Sequence, residues 1–91
     1  MIIPKKLKVG GHIITIDCTQ ELENRNGEFV ITKNLIKICK TLPQSQKEIT
    51  LIHELFHAMQ CGWSDSVMSH LFLESMSQQL YQVLTDNKLL K

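Results

Sequence analysis

Several features that mark common protein classes are scarce or missing in this sequence. Its longest uninterrupted apolar runs have three or four residues, as at Leu71 to Leu73, which excludes a membrane-spanning helix of about 20 residues. A total of 10 basic and 9 acidic side chains give a formal net charge of only +1, so a nucleic-acid binder with a basic face is not expected. No basic start followed by an apolar stretch is visible. We therefore expect a cytoplasmic protein without a signal peptide.

Cysteine is also scarce. The three cysteines, Cys18, Cys39 and Cys61, are odd in number and form no C-x-x-C pair. This pattern argues against a disulfide framework and against a cysteine-based zinc knuckle. We interpret the three side chains as reduced, partly buried thiols, in agreement with a cytoplasmic location.

The residues that are present predict one small domain over positions 1–91. Hydrophobic residues make up 43% of the chain and charged residues 21%, which is ordinary for a soluble globular domain. The first half alternates short β-branched or apolar runs with turn residues, including Gly10-Gly11, and this alternation predicts about four short strands. We place these strands at Leu7–Val9, His12–Cys18, Phe29–Ile31 and Leu35–Cys39.

Two helices are predicted in the second half of the chain. The first runs from about residue 46 to residue 61, and the second from about residue 66 to residue 85. The residues that would begin or end these helices are Ser45 with Glu48 in a capping-box pattern, Gly62 as a C-cap, and Ser64, Asp65 or Ser66 as an N-cap.

Apolar side chains repeat at helical spacing in both segments, and we expect each stripe to face a core. The stripes are Ile49, Ile52, Phe56 and Met59 in the first helix, and Phe72, Met76, Leu80, Val83 and Leu84 in the second. Strands followed by helices indicate the α+β class. The predicted architecture is a small antiparallel or mixed sheet of about four short strands, followed by two helices, of which the first carries the motif described next.

The first predicted helix carries His53-Glu54-Leu55-Phe56-His57, an H-E-x-x-H motif. Residues four apart on a helix lie about 6 Å apart on one face, so His53 and His57 can bind one metal ion. Glu54 is adjacent to His53 and can contact a metal-bound water without ligating the metal. We predict one Zn²⁺ per chain at this motif. The alternative is a pair of histidines at the edge of the core, each paired with a carboxylate.

A catalytic zinc site normally has a third protein ligand besides its water. The extended motif that supplies a third histidine is not present, because Gln60 and Trp63 stand at its glycine and histidine positions. Two candidates lie on the second helix. We favour Glu74, since an isolated carboxylate in an apolar helix is costly to bury unless it is paired or bound to a metal. His70 is the other candidate.

One face of the second helix carries His70, Glu74, Gln78 and Tyr81, at spacings of four, four and three. A polar face on an otherwise apolar helix is typical of a helix that lines a site. Tyr81 could donate its hydroxyl to a developing oxyanion, and His70 could contact the substrate or support a metal ligand. The alternatives are a solvent-facing position, which we favour for Gln78, and a core tyrosine with a hydrated tip for Tyr81.

The order of short strands, the motif from His53 to Ala58, and Glu74 on a helix that continues through Asn87 resembles a known group of proteins. These are the very small metallopeptidase-like proteins of bacteria and their phages, related to the ImmA/IrrE-type zinc peptidases and built on a minimal gluzincin architecture. The resemblance is best over residues 35–87 and weaker before residue 28. It implies that His53, His57 and Glu74 hold zinc.

Taken together, these residues predict a zinc-dependent metallopeptidase in which Glu54 is the general base for a zinc-activated water. We expect a protein or peptide substrate that adds as a strand to an exposed sheet edge, supplied by Phe29–Ile31 or Leu35–Cys39. A homo-oligomer and a regulatory protein partner are both open. The alternative function is a non-catalytic, zinc-stabilised interaction module, since small domains often need a metal to fold stably.

Overall fold

The computed structural model describes residues 2–9, 11–60 and 69–87. Within them, a four-stranded sheet is followed by two helices, which confirms the predicted α+β class. The strands are β1 (Lys6–Val9), β2 (His12–Asp17), β3 (Gly27–Val30) and β4 (Leu35–Ile38), and the helices are α1 (Gln44–Gln60) and α2 (His70–Asp86).

The sheet is mixed, with the strand order β1-β2-β4-β3. β1 pairs antiparallel with β2, β2 pairs parallel with β4, and β4 pairs antiparallel with β3. A single 3₁₀ turn at Ile31–Lys33, followed by Asn34 in the left-handed region at φ 47°, reverses the chain between β3 and β4. This order makes β3 an edge strand and β4 an inner strand. The expectation that Leu35–Cys39 could offer an exposed edge is therefore wrong, because both of its sides are already paired.

The main core lies between the sheet and α1. Its buried side chains are Ile14, Ile16, Ile36, Ile38 and Leu51, and the partly buried Leu55 packs against them. The apolar stripe expected on α1 is therefore wrong in part: Leu51 and Leu55 carry the contact with the sheet, and Met59 is 44% exposed. α1 is covered by the sheet and also by α2, so apolar residues repeat on more than one of its faces.

The stripe expected to bury α2 is wrong for four of its five members. Phe72, Met76, Leu80 and Val83 are exposed and Leu84 is half-buried, whereas Leu73 and Ser77 are fully buried. Ser77 tolerates burial because its hydroxyl donates to the carbonyl of Leu73 at 2.7 Å, within the same helix. The narrow face that contains Leu73 and Ser77 is thus the one that lies against the rest of the protein.

The helix starts differ from their predicted positions. α1 begins at Gln44, so Ser45 lies inside the helix and the expected capping box is not formed there. α2 begins at His70, and the Oγ of Ser69 accepts a hydrogen bond from the amide of Phe72 at 3.1 Å. The predicted caps at Gly62 and at residues 64–66 lie outside the described residues.

Two further expectations concern thiols and membrane spans. Cys18 is half-buried and Cys39 buried, and both are free thiols, whereas Cys61 lies outside the described residues. In the described ranges, neither helix combines the length and apolar character that crossing a membrane requires.

Candidate metal centre

The H-E-x-x-H histidines lie on α1, one turn apart. The Nε2 atoms of His53 and His57 are 3.1 Å apart, and their ring centroids are 4.9 Å apart. His53 is only 9% exposed and His57 is half-buried. The helical spacing thus brings two imidazole nitrogens together at a mostly buried position.

A third imidazole comes from the first residue of α2. The ring centroid of His70 lies 4.8 Å from that of His53 and 5.8 Å from that of His57. Each of the three histidines offers one nitrogen, and these nitrogens all lie within 4.8 Å of one another. In the described parts of the chain, this is the group of side chains that could hold a metal ion.

The donor set fits zinc. Tetrahedral zinc with Zn–N bonds of about 2.0–2.1 Å needs nitrogens roughly 3.3 Å apart. The 3.1 Å separation in the His53–His57 pair is close to that value, and the group that includes His70 spreads to within 4.8 Å. Three imidazoles are a ligand set that zinc accepts at catalytic sites.

The environment of His53 and His57 lowers their pKa values and so favours the neutral imidazole, which is the form that binds a metal. Burial lowers the pKa of His53, and the neighbouring His57 and His70 lower it further, while Glu74 opposes the shift. Burial and His70 likewise lower the pKa of His57. The histidine pair is therefore ready to act as ligands near neutral pH.

Glu54 follows His53 and is buried, at 7% exposure. Burial, with a smaller contribution from the charge of Glu28, raises the pKa of Glu54 from 4.5 to about 7. A carboxyl group with this pKa can accept a proton and return it near neutral pH, which is what a general base and acid must do. Its position beside the histidines agrees with the role predicted from the motif.

Gly27, the first residue of β3, lies directly against Glu54. A Cβ atom at this position would be 2.5 Å from Cγ2 of Thr50, 3.0 Å from the carbonyl oxygen of Lys37 and 3.3 Å from Cγ of Glu54. The missing side chain therefore allows the edge strand to lie close to α1. Gly27 lies just before the strand predicted at Phe29–Ile31, and the only signal for its close approach to α1 is a glycine near the start of an apolar run.

A cavity of about 380 Å³ opens beside Glu54, between α1, α2 and the loop before β3. Both His53 and His70 reach it, and so does Glu74. The remaining lining residues are mostly polar: Asn24, Arg25, Asn26, Gly27, Gln46, Ile49, Thr50, Ser77 and Gln78. A polar cavity next to a cluster of ligands and an acid–base residue can hold a substrate that hydrogen-bonds along its length.

The structure places the other two predicted site residues differently. Glu74 is exposed and lines the cavity, but it is not part of the cluster of ligand atoms. The hydroxyl of Tyr81 donates to Oε1 of Glu48 at 2.7 Å, and Tyr81 does not line the cavity. Sequence reasoning missed this contact because its partners are 33 positions apart.

Comparison of this chain with family models, curated proteins and solved structures found no match.

Proposed function

We propose that this chain is a zinc-dependent hydrolase of peptide bonds, built on His53, His57 and Glu54. The observation that carries the proposal is the position of Glu54: a buried carboxyl group that follows the ligand His53 and opens onto the same cavity. A structural zinc site has no need of such a group, whereas a hydrolase needs one to move the proton of the attacking water.

Each site residue has a separate role in the proposed reaction. Neutral His53 and His57 hold the metal, together with a third ligand from α2, either Glu74 or His70. Bound zinc supplies a water of pKa about 7 and a positive charge next to the peptide carbonyl. Glu54 takes up the water's proton on a carboxylate oxygen and later donates it to the leaving amine. His70 and Glu74 also shape the wall of the cavity that receives the substrate.

In this proposal the substrate binds along the edge strand β3. Its partner β4 occupies one side, and its other side is an edge of the sheet. A Cβ atom on Gly27 would lie 3.3 Å from Cγ of Glu54, so the start of this edge is close to the acid–base residue. A peptide that added as a strand along β3 would thus pass the acid–base residue, and backbone hydrogen bonds would supply affinity for many sequences.

The proposal is tested by Glu54→Gln, with Glu23→Gln as the matched control because Glu23 is an exposed acid outside the cavity. Each zinc-loaded protein is incubated with a random-sequence peptide library, and the products are identified by mass spectrometry. We expect cleavage by the wild type and the control, and a loss of at least 100-fold in Glu54→Gln with its zinc retained. Equal cleavage by Glu54→Gln and wild type would exclude Glu54 as the base.

One observation favours a second candidate, a non-catalytic zinc-stabilised interaction module. Leu73 and Ser77 are the buried residues of α2, so the packing of this helix against the rest of the protein involves only a narrow face. A metal bound by residues of both helices would tie α2 to α1, and its binding energy would then contribute to folding. This candidate predicts that a chelator unfolds the protein, whereas the hydrolase predicts a folded but inactive protein.

A further inference from the structure

The third ligand is the open question at this site, because two side chains of α2 are candidates. His70 and Glu74 are four residues apart, so they lie one turn apart on the same face of the helix. Both line the cavity beside Glu54. A zinc ion at the His53–His57 pair can therefore be reached from either position, and the side-chain geometry must decide between them.

We propose that His70 is the third zinc ligand and that Glu74 remains an unbound carboxylate on the cavity wall. This inference rests on the metal site of the proposed function. The ring of His70 approaches both other rings, and its nitrogen belongs to the group that lies within 4.8 Å. The carboxylate of Glu74 does not belong to that group.

The local structure of α2 explains why His70 can reach the pair. Ser69 caps the helix, which fixes His70 as its first residue. Leu73, three residues later, is fully buried and holds the first turn against the rest of the protein. His70 thus projects from an anchored turn towards His53. His70 and Glu74 are both exposed, so the approach of the His70 ring to the other two rings, and not burial, separates the two candidates.

The ligand set changes the charge of the site. Three neutral imidazoles leave the full charge of the zinc ion uncompensated, whereas two imidazoles and a carboxylate reduce it by one. The higher charge favours ionisation of a bound water. Ligation by three histidines also leaves Glu54 and Glu74 as two unbound carboxylates in one cavity. Arg25 is a basic residue on the wall of that cavity.

The experiment compares His70→Ala with Glu74→Ala, which remove candidate ligands from neighbouring turns of one helix. Zinc affinity is measured by competition with a chromophoric chelator, and circular dichroism checks the helix content of each variant. We expect His70→Ala to lose affinity by roughly 100-fold or more, because removal of groups that only support a ligand already costs 10–100-fold. Glu74→Ala should lose less than about tenfold.

X-ray absorption spectroscopy of the wild-type zinc complex identifies the ligands directly, so it tests the proposal even if a variant fails to fold. Three imidazoles at about 2.0–2.1 Å support His70 as the ligand. Two imidazoles with an additional protein oxygen, or zinc lost in Glu74→Ala and kept in His70→Ala, would overturn it while leaving the proposed function intact. A wild-type protein that binds no zinc would instead overturn the proposed function, and this inference with it.

Discussion

At the scale of single residues, the site depends on the cost of burying Glu54. Its ordinary pKa of 4.5 rises to about 7 because the folded protein removes the carboxyl group from water. A native state that holds such a group is less stable than it could be. This cost is typical of a residue retained for chemistry rather than for packing.

That cost predicts a pH-dependent gain in stability for Glu54→Gln in the zinc-free protein. Below pH 4.5 the carboxyl group is protonated in both states, so it costs nothing. Between about pH 4.5 and 7 the unfolded state ionises first, and above pH 7 the full penalty is present. Urea unfolding from pH 5 to 8 should therefore show an advantage for the variant that grows to the order of 2 kcal/mol. A difference that stays constant with pH would contradict the buried-carboxyl account. The histidine shifts are common to both proteins and cancel in the comparison.

Gly27 makes a second prediction at the residue scale. Gly27→Ala places a methyl group 2.5 Å from Cγ2 of Thr50 and 3.0 Å from the carbonyl oxygen of Lys37. We expect a loss of about 1–3 kcal/mol in the free energy of unfolding, the usual cost of overpacking. Thr50→Ala removes the nearest atom, so the double variant should recover part of the loss, as measured by urea unfolding. If the two changes in the free energy of unfolding simply add in the double variant, the side chain of Thr50 is not what excludes a methyl group at position 27.

At the scale of elements, Tyr81 and Glu48 connect the two helices. Tyr81 on α2 donates to the buried Glu48 on α1, and Gln44 donates to the same carboxylate. Burial opposes the ionisation of Glu48, but its hydrogen bonds, including those from Tyr81 and Gln44, lower its pKa below the ordinary value. A charged acceptor is therefore maintained between the helices.

Tyr81→Phe removes the phenolic donor and keeps the ring. We expect a loss of about 1.5–3 kcal/mol in the free energy of unfolding, since one hydrogen bond to a buried, charged carboxylate is removed. Zinc affinity and peptide cleavage at saturating zinc should stay within about twofold of wild type, because Tyr81 does not line the cavity. Unchanged stability with a large loss of cleavage would instead support the oxyanion role predicted from the sequence.

The elements also show which parts of the site can be predicted from sequence. His53, Glu54 and His57 follow from spacing alone, because the geometry of one helix is local. The approach of His70 depends on which face of α2 packs, and the apolar repeat indicated the wrong face, since Phe72 and Met76 are exposed.

Two further features could not be predicted from the sequence pattern, because both depend on contacts between distant parts of the chain. The strand order β1-β2-β4-β3 depends on long-range pairing, so the inner position of β4 could not be read from its own residues. The contact of Gly27 with Glu54 likewise requires the three-dimensional approach of β3 to α1. Periodicity predicts that an element exists, but it does not determine the neighbours of that element.

At the scale of the whole molecule, the candidate site lies where three elements meet. α1 supplies His53, His57 and Glu54, α2 supplies His70, and the edge strand β3 approaches Glu54 through Gly27. The proposed metal site, the proposed acid–base residue and the proposed binding position for a peptide strand are therefore linked by the same packing. The exposed apolar face of α2 lies outside this arrangement. A homo-oligomer or a regulatory partner remains a prediction.

The measurement that tests this account most directly is the zinc content of the purified chain, with the His53→Ala/His57→Ala double variant as control. Elemental analysis after dialysis against buffer with trace zinc should find one equivalent in the wild type, because the nitrogens of His53 and His57 have the separation that a tetrahedral ion requires. The double variant should contain none, since it keeps a single histidine of the cluster. A wild type without zinc, or equal zinc in both proteins, would contradict the account.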